Sequence, residues 1–301
     1  MRVMIHGGAG FIGTSVAERL RSLGDEVVIA DRASRLARSG EEIRRYTCVD
    51  LGAGRIDYSG IDALIYLSSA TLPATSMGSL SYDAEANIAP SLRIMEDAAE
   101  AGVPQVVFAS SGGTVYGKAT VLPIRETHPT HPLSAYGVSK LALERYLEIL
   151  GRQSGVRTVS LRIANPYGPN QFRGAGVGAI AQFMHLISQG QAIHVWGDGS
   201  VVRDYLHVDD VADAFIAVCH APVLDAGQYN VGSGGGVSLN ELIDRIMRIS
   251  GARCEIIYED ARSFDVPAVA LDSGKLHDAV GWHPRIDLDR GLGQMWALLG
   301  K

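Results

Sequence analysis

Apolar and polar positions alternate in two periods along the first half of the chain. Arg2–His6 is a short apolar run that ends in glycines, as a buried strand would. Phe11–Leu23 has helical spacing, with Ile12, Val16 and Leu20 on one face. Strands are predicted at Glu26–Ala30, Arg44–Val49, Ala63–Leu67, Gln105–Ala109 and Thr158–Ile163. Helices are predicted at Asn87–Ala101, stopped by Gly102 and Pro104, and at Ser134–Arg152, with Ser134 as N-cap and Gly151 near its end. Strand and helix in alternation predict an α/β fold whose parallel sheet is covered on both faces.

The second half changes character. Asn165–Asn170 is a Pro/Gly turn, and helical spacing returns at Ile180–Gln189, Asp209–His220 and Leu239–Ser250. Ser238 and Glu241 have the spacing of a capping box before the last of these. Ala192–Trp196 and Tyr205–Val208 read as short strands. The change predicts two domains, 1–164 and 165–301, with 201–231 returning to the first.

Composition narrows the function classes. The 301 residues are 47% hydrophobic and 20% charged, which excludes a disordered or fibrous chain. A net charge of −6 gives no general attraction to nucleic acid or to an anionic membrane. No window is apolar enough for a membrane span, and the N-terminus lacks the pattern of a signal peptide. Cys48, Cys219 and Cys254 are too scattered for a disulfide framework or a zinc site. A cytoplasmic, reducing compartment is expected. The histidines have no metal-ligand spacing, so no metal is expected.

The glycines are the first chemical signal. Gly7-Gly-Ala-Gly10-Phe11-Ile12-Gly13 follows a strand and opens a helix, the context of a dinucleotide loop. Gly7 would make the turn, Gly10 would let a pyrophosphate approach the helix N-terminus, and Gly13 would let helix and strand pack closely. A glycine turn that binds nothing is the plain alternative. Asp31, at the end of the second strand, can accept bonds from ribose hydroxyls and repel a 2′-phosphate, which favours NAD over NADP. Arg32 and Arg35 pull the other way. Asp50 could meet the adenine or merely cap a turn.

The second signal is Tyr136 and Lys140, four residues apart and so on one helix face. A cation beside the phenol would lower its pKa and make a general base. Ser110, Ser111 and Thr114, at the end of a parallel strand, face the site crevice of such a fold and could hold a substrate hydroxyl.

These motifs, with Asn165-Pro-Tyr-Gly-Pro169, Trp196-Gly-Asp-Gly199 and Arg203–Asp210, resemble the extended short-chain dehydrogenase/reductases, in the branch of the UDP-glucose 4-epimerases. The resemblance runs through Leu271–Lys275 and Gly281–Pro284. It implies a Rossmann-type doubly wound sheet, bound NAD, and a smaller C-terminal α/β domain for a UDP-sugar. Tyr136 would be the base, with Lys140 holding the nicotinamide ribose. Leu51, Leu67, Asn87 and Ser110 would lie near the cofactor, with the packing of a helix as the plain alternative for Asn87. Asn165, Arg203 and Arg262 match positions at the nucleotide diphosphate, and Asp265 one at its ribose. A homodimer through a four-helix bundle, made by the helices at 87–101 and 134–152, is also implied.

In one place the chain departs from the family. The hydroxyl residue expected beside Tyr136 falls on Gly112, and Ser111 is the nearest substitute. The dehydratase Asp-Glu pair is absent from the same loop, where Gly113 and Thr114 stand, which leaves simple redox at C4. Val269 falls where epimerases limit the sugar's 2-substituent, and a valine implies room there. The competing readings are a 4-keto nucleotide-sugar reductase and a non-catalytic nucleotide binder.

Overall fold

The computed structural model describes residues 1–38, 46–52, 54, 56–173, 178–262 and 266–299. Seven parallel strands form the central sheet: β1 (Arg2–His6), β2 (Glu26–Asp31), β3 (Thr47–Asp50), β4 (Ala63–Tyr66), β5 (Gln105–Ser111), β6 (Arg157–Ile163) and β11 (Gly227–Val231). Their order is β11-β6-β5-β4-β1-β2-β3. The chain therefore winds one way from β1 through β2 to β3, and the other way from β4 outward. The reversal between β1 and β4 opens a crevice at the carboxyl ends of the strands, where ligands bind in such sheets. The doubly wound α/β class follows from this order.

Helix α1 (Phe11–Ser22) and helix α7 (Val208–His220) cover one face, with Val16, Ala17 and Leu20 packed in a core with Val211, Ala212 and Phe215. Helix α4 (Leu80–Glu100) and helix α5 (Ala135–Ser154) cover the other, where Met95, Ala98, Leu143 and Leu147 share a core with Met4, Leu64 and Phe108. Two short helices, α2 (Ala33–Arg38) and α3 (Pro73–Ser76), follow β2 and β4. Ser134 caps α5 through Gly137 N–H. The helix runs past Gly151 and ends at Gly155, whose φ of 75° closes it. The predicted strand at Arg44–Val49 begins outside the described residues; β3 itself starts at Thr47.

Helix α4 starts seven residues before the predicted Asn87. Its first turns expose Leu80 and Tyr82 while burying Asp83, the reverse of an amphipathic signal. The stretch 201–231 supplies α7 and β11, and β11 pairs with β6 at the sheet edge.

The remaining chain builds a second core. Helix α6 (Ala179–Ser188), helix α8 (Leu239–Ser250) and helix α10 (Leu288–Leu299) pack around Met184, Ile187, Leu242, Ile246, Leu292 and Met295. Helix α9 (Gly274–Val280) lies before α10. Three strand pairs complete this part: β7 (Asn165–Tyr167) with β10 (Tyr205–His207), β8 (Ile193–Trp196) with β13 (Ile256–Glu259), and β9 (Val202–Arg203) with β12 (Val237–Ser238). The capping box at α8 is formed as expected, Ser238 and Glu241 bonding each other's backbone.

Candidate functional site

The glycine loop leaves β1 at the crevice. Gly7 has φ 85°, which a side chain would strain, and a Cβ on it would lie 2.8 Å from Ser68 Oγ. A Cβ on Gly13 would meet Gly7 O and Gly8 Cα at 2.6 Å, so α1 packs on the loop only because residue 13 has none. No side chain caps α1 at Gly10, and its first turn has no acidic residue. Its leading N–H groups are therefore available to an anion. Phe11 and Ile12 are half-buried at this end. The cradle fits a dinucleotide pyrophosphate.

Asp31 closes the other side. It is buried at the end of β2, where Oδ2 accepts from Ala9 N–H at 3.1 Å and Oδ1 from Arg32 N–H at 2.8 Å. Its carboxylate thus steadies the loop. The Arg35 guanidinium reaches to within 3.3 Å of where a Gly10 Cβ would stand. Asp50 acts as a cap: its Oδ1 accepts from Ala33 N–H and Gly52 N–H, both at 3.0 Å. Leu51 and Leu67 flank the crevice, bonded through their N–H groups to Asp31 O and His6 O.

Two of the expected cofactor contacts are occupied within the protein. Asn87 accepts from Ala70 N–H at 2.8 Å and donates to Thr71 Oγ1 and Asp83 O, both at 3.0 Å, so it fixes the loop after β4. Ser110 donates to Glu144 Oε1 at 2.5 Å beneath α5, so its hydroxyl points away from the crevice. Successive strand residues face opposite sides, and Ser111 points the other way.

Tyr136 and Lys140 stand side by side on α5, as their spacing requires. Lys140 is buried, and Nζ lies 5.5 Å from the Tyr136 ring centroid and 4.7 Å from that of Phe108. It donates to Ala109 O at 2.8 Å, which anchors the ammonium at the end of β5. Burial, helped by the charge of Asp83, pushes Tyr136 up to about 12. Burial likewise pulls Lys140 down to about 8, against the opposing pull of Glu144 and Asp83.

Gly112 has a steric explanation. A Cβ there would lie 2.4 Å from Leu271 Cδ1 and 3.0 Å from Arg162 O, so Leu271 occupies the space of the family's hydroxyl side chain. Ser111 is half-buried at the end of β5. A point one Cβ beyond Gly113 lies 3.3 Å from Asn165 Oδ1 and 4.0 Å from Ser111 Oγ, so these two side chains flank the same turn. Thr114 Oγ1 is buried with no hydrogen-bond partner among the described residues. A buried hydroxyl left unpaired is costly unless something else bonds it.

The nucleotide side is less closely gathered. Arg203 Nη1 donates to Val202 O at 2.9 Å and to Val266 O at 2.6 Å. Arg262 is exposed, its guanidinium 5.6 Å from the centroid of the exposed Trp196 ring. Asp265 lies outside the described residues. Val269 is a packing residue: it is 1% exposed in a cluster with Val115, Tyr116, Ile124 and Leu271. Among the described residues, no group of side chains could hold a metal ion.

Sequence reasoning missed three buried polar groups near the site, Asp83, Glu144 and His6. Glu144 continues the Tyr136–Lys140 spacing by four, and that was its only signal. His6 stacks on Tyr66 at 4.8 Å between ring centroids, with Nδ1 2.8 Å from Ser68 Oγ. Burial pushes His6 down to about 4. The unfolded chain therefore takes up its proton first as pH falls below about 6.5, and the folded state loses stability until about pH 4. From pH 7 to 5 this loss is on the order of 2 kcal/mol. Urea unfolding of wild type and His6→Gln at both pH values should show it as the difference between the two pH dependences.

Known proteins resemble the whole chain. A UDP-glucose 4-epimerase of Mycolicibacterium smegmatis is 32% identical over 303 residues, covering 97% of this chain and 96% of its own. A dTDP-4-dehydro-6-deoxyglucose reductase of Escherichia coli is 28% identical, covering 97% and 96%. The crystal structure of UDP-glucose 4-epimerase from Thermotoga maritima, with UDP-glucose, superimposes with a TM-score of 0.89 at 30% identity, over 100% of this chain and 99% of the other. Residues 3–232 match the NAD dependent epimerase/dehydratase family. Since that match runs from β1 to just past β11 and takes in both the glycine loop and the Tyr136–Lys140 helix, the chain belongs to this family.

Proposed function

We propose that the protein is an isomerase that inverts C4 of a UDP-hexose through a 4-keto intermediate, with NAD as its resident cofactor. The observation that carries this reading is the Tyr136–Lys140 pair at the carboxyl end of the sheet, with Lys140 anchored on Ala109 O of β5. Residues 1–164 and 201–231 hold the cofactor in this reading, and 165–301 the nucleotide sugar. NAD, cradled by Gly7, Gly10 and Gly13 with Asp31 at its ribose, supplies reversible hydride acceptance at the sugar carbon. Tyr136 removes the proton of the 4-hydroxyl and later returns one to the carbonyl oxygen. Lys140 holds the nicotinamide ribose and stabilises the phenolate. Ser111 and Thr114 donate to the sugar oxygen, and the unpaired Thr114 hydroxyl supports that role. Asn165, Arg203 and Arg262 bind the diphosphate, and Asp265 its ribose.

The partner in this reading is a second copy of the chain. Leu80 and Tyr82 on α4, and Val138, Tyr146 and Ile149 on α5, are exposed, and these helices form a four-helix bundle with their copies. A cytoplasmic location is supported by Cys48, Cys219 and Cys254, none of which is in a disulfide among the described residues. No helix among the described residues is long and apolar enough to cross a membrane.

The test is incubation with UDP-glucose, UDP-N-acetylglucosamine and UDP-glucuronate, with products resolved by NMR. Inversion at C4 of at least one is the expected result, and inversion of none overturns the reading. The similarity to a 4-keto sugar reductase favours one second reading, net reduction of a 4-keto nucleotide sugar. Stoichiometric consumption of reduced cofactor would establish that reading in place of the first.

A further inference from the structure

Asp83 joins three pieces of the site. It is 1% exposed on α4. Its Oδ1 accepts from Thr71 Oγ1 and from Asn87 Nδ2 at 3.1 Å, and its Oδ2 accepts from Ser139 Oγ at 2.5 Å. Thr71 belongs to the loop after β4, which borders the crevice. Ser139 sits between Tyr136 and Lys140 on α5. All three donors are neutral, so the field of the carboxylate is not cancelled by its own partners. In a dry interior that field reaches neighbouring groups with little screening.

We propose that Asp83 is a positioning residue for the reaction. Its carboxylate latches Ser139, and with it the Tyr136–Lys140 turn, onto the loop after β4, and sets a negative charge beside that turn. The proposal rests on the reading of Tyr136 as the base. The charges near Tyr136 are Lys140 on its own helix and Asp83 from α4. Glu144 of α5 is paired with Arg162 of β6, Ser111 ends β5, and Thr114 stands in the loop after it. Burial and Asp83 are the two causes that hold the phenol near 12. A cofactor that carries positive charge only when oxidised would then favour the phenolate before the oxidising step, when Tyr136 takes the hydroxyl proton, and the phenol before the reducing step, when it returns one.

The test follows Tyr136 ionisation by tyrosinate absorbance in NAD-loaded protein, each variant being read against its own Tyr136→Phe counterpart so that residue 136 alone reports. Asp83→Asn keeps the shape and removes the charge, and its midpoint should fall by about one pH unit or more. Ser139→Ala keeps the charge and removes the latch. Its midpoint should stay within a few tenths of wild type while kcat falls and KM for the nucleotide sugar changes little. An unmoved midpoint in Asp83→Asn, or an equal shift in Ser139→Ala, overturns the charge role. An unchanged kcat in Ser139→Ala overturns the latch, even if Asp83→Asn fails to fold. The titration needs no sugar turnover, so failure of the epimerase reading would show separately, as inactivity of the wild type.

Discussion

Replacing Tyr136 by phenylalanine should lower kcat by about 10²–10⁴-fold while leaving the fold and the KM for nucleotide sugar nearly unchanged. This is the range expected when a positioned general base is removed. The phenol is half-buried beside Lys140, and its ring would remain in place without the hydroxyl. The loss therefore reports proton transfer and not packing, which a circular dichroism spectrum and a UDP-sugar titration of the variant would confirm. Turnover of Tyr136→Phe at the wild-type rate would remove Tyr136 from the chemistry. It would also rule out the 4-keto reductase reading, which needs the same proton donor.

The largest effect on stability should come from Glu144. Its carboxylate is fully buried and takes Arg162 Nη2 at 2.7 Å, Arg162 Nε at 3.0 Å and the Ser110 hydroxyl. Arg162 also donates to the Tyr116 hydroxyl at 3.0 Å, and Tyr116 donates to Asn230 Oδ1 at 2.6 Å. Glu144→Ala leaves a buried guanidinium without its counter-charge, and about 3–5 kcal/mol of folding stability should be lost. Equilibrium urea unfolding would show this as a lower midpoint. Replacing both partners, as in Glu144→Leu with Arg162→Met, should recover most of the loss, because no unpaired charge then stays inside. A double variant as unstable as Glu144→Ala would mean that the pair contributes shape and not charge compensation. The network ties α5 to β5, β6 and β11 directly below Lys140, so the stability of the core and the placement of the ammonium share the same side chains.

Much of the site was readable because it depends on neighbours in the chain. The glycines at 7, 10 and 13 stand between a strand and a helix, and their spacing alone predicts where the backbone turns. Tyr136 and Lys140 share a face on any α-helix, whatever surrounds it. Asp31 ends its strand, and in a parallel sheet that places it at the crevice. The corrections came from residues whose surroundings are assembled from far away. Ser110 was read as facing the crevice, but its hydroxyl bonds Glu144, 34 positions later. Val269 falls where epimerases limit the sugar's 2-substituent, and in the structure it packs with Val115, Tyr116 and Leu271. Asn87 has a family position near the cofactor, and the structure adds that Ala70, Thr71 and Asp83 hold it. The start of α4 was hidden for a related reason: Asp83, a buried carboxylate, occupies a position where an amphipathic pattern requires an apolar residue.

The sequence by itself determined the α/β alternation, the phosphate-ready turn after the first strand, and the phenol and ammonium one helical turn apart, since each is fixed by covalent neighbours and backbone geometry. Only the tertiary structure decided the chemistry those groups can express. Burial and the carboxylate of Asp83 set the proton affinity of Tyr136, Leu271 keeps residue 112 free of a side chain, and Glu144 turns Ser110 inward. Proton affinity and side-chain direction depend on local polarity and steric room, and distant segments create both only when they pack together.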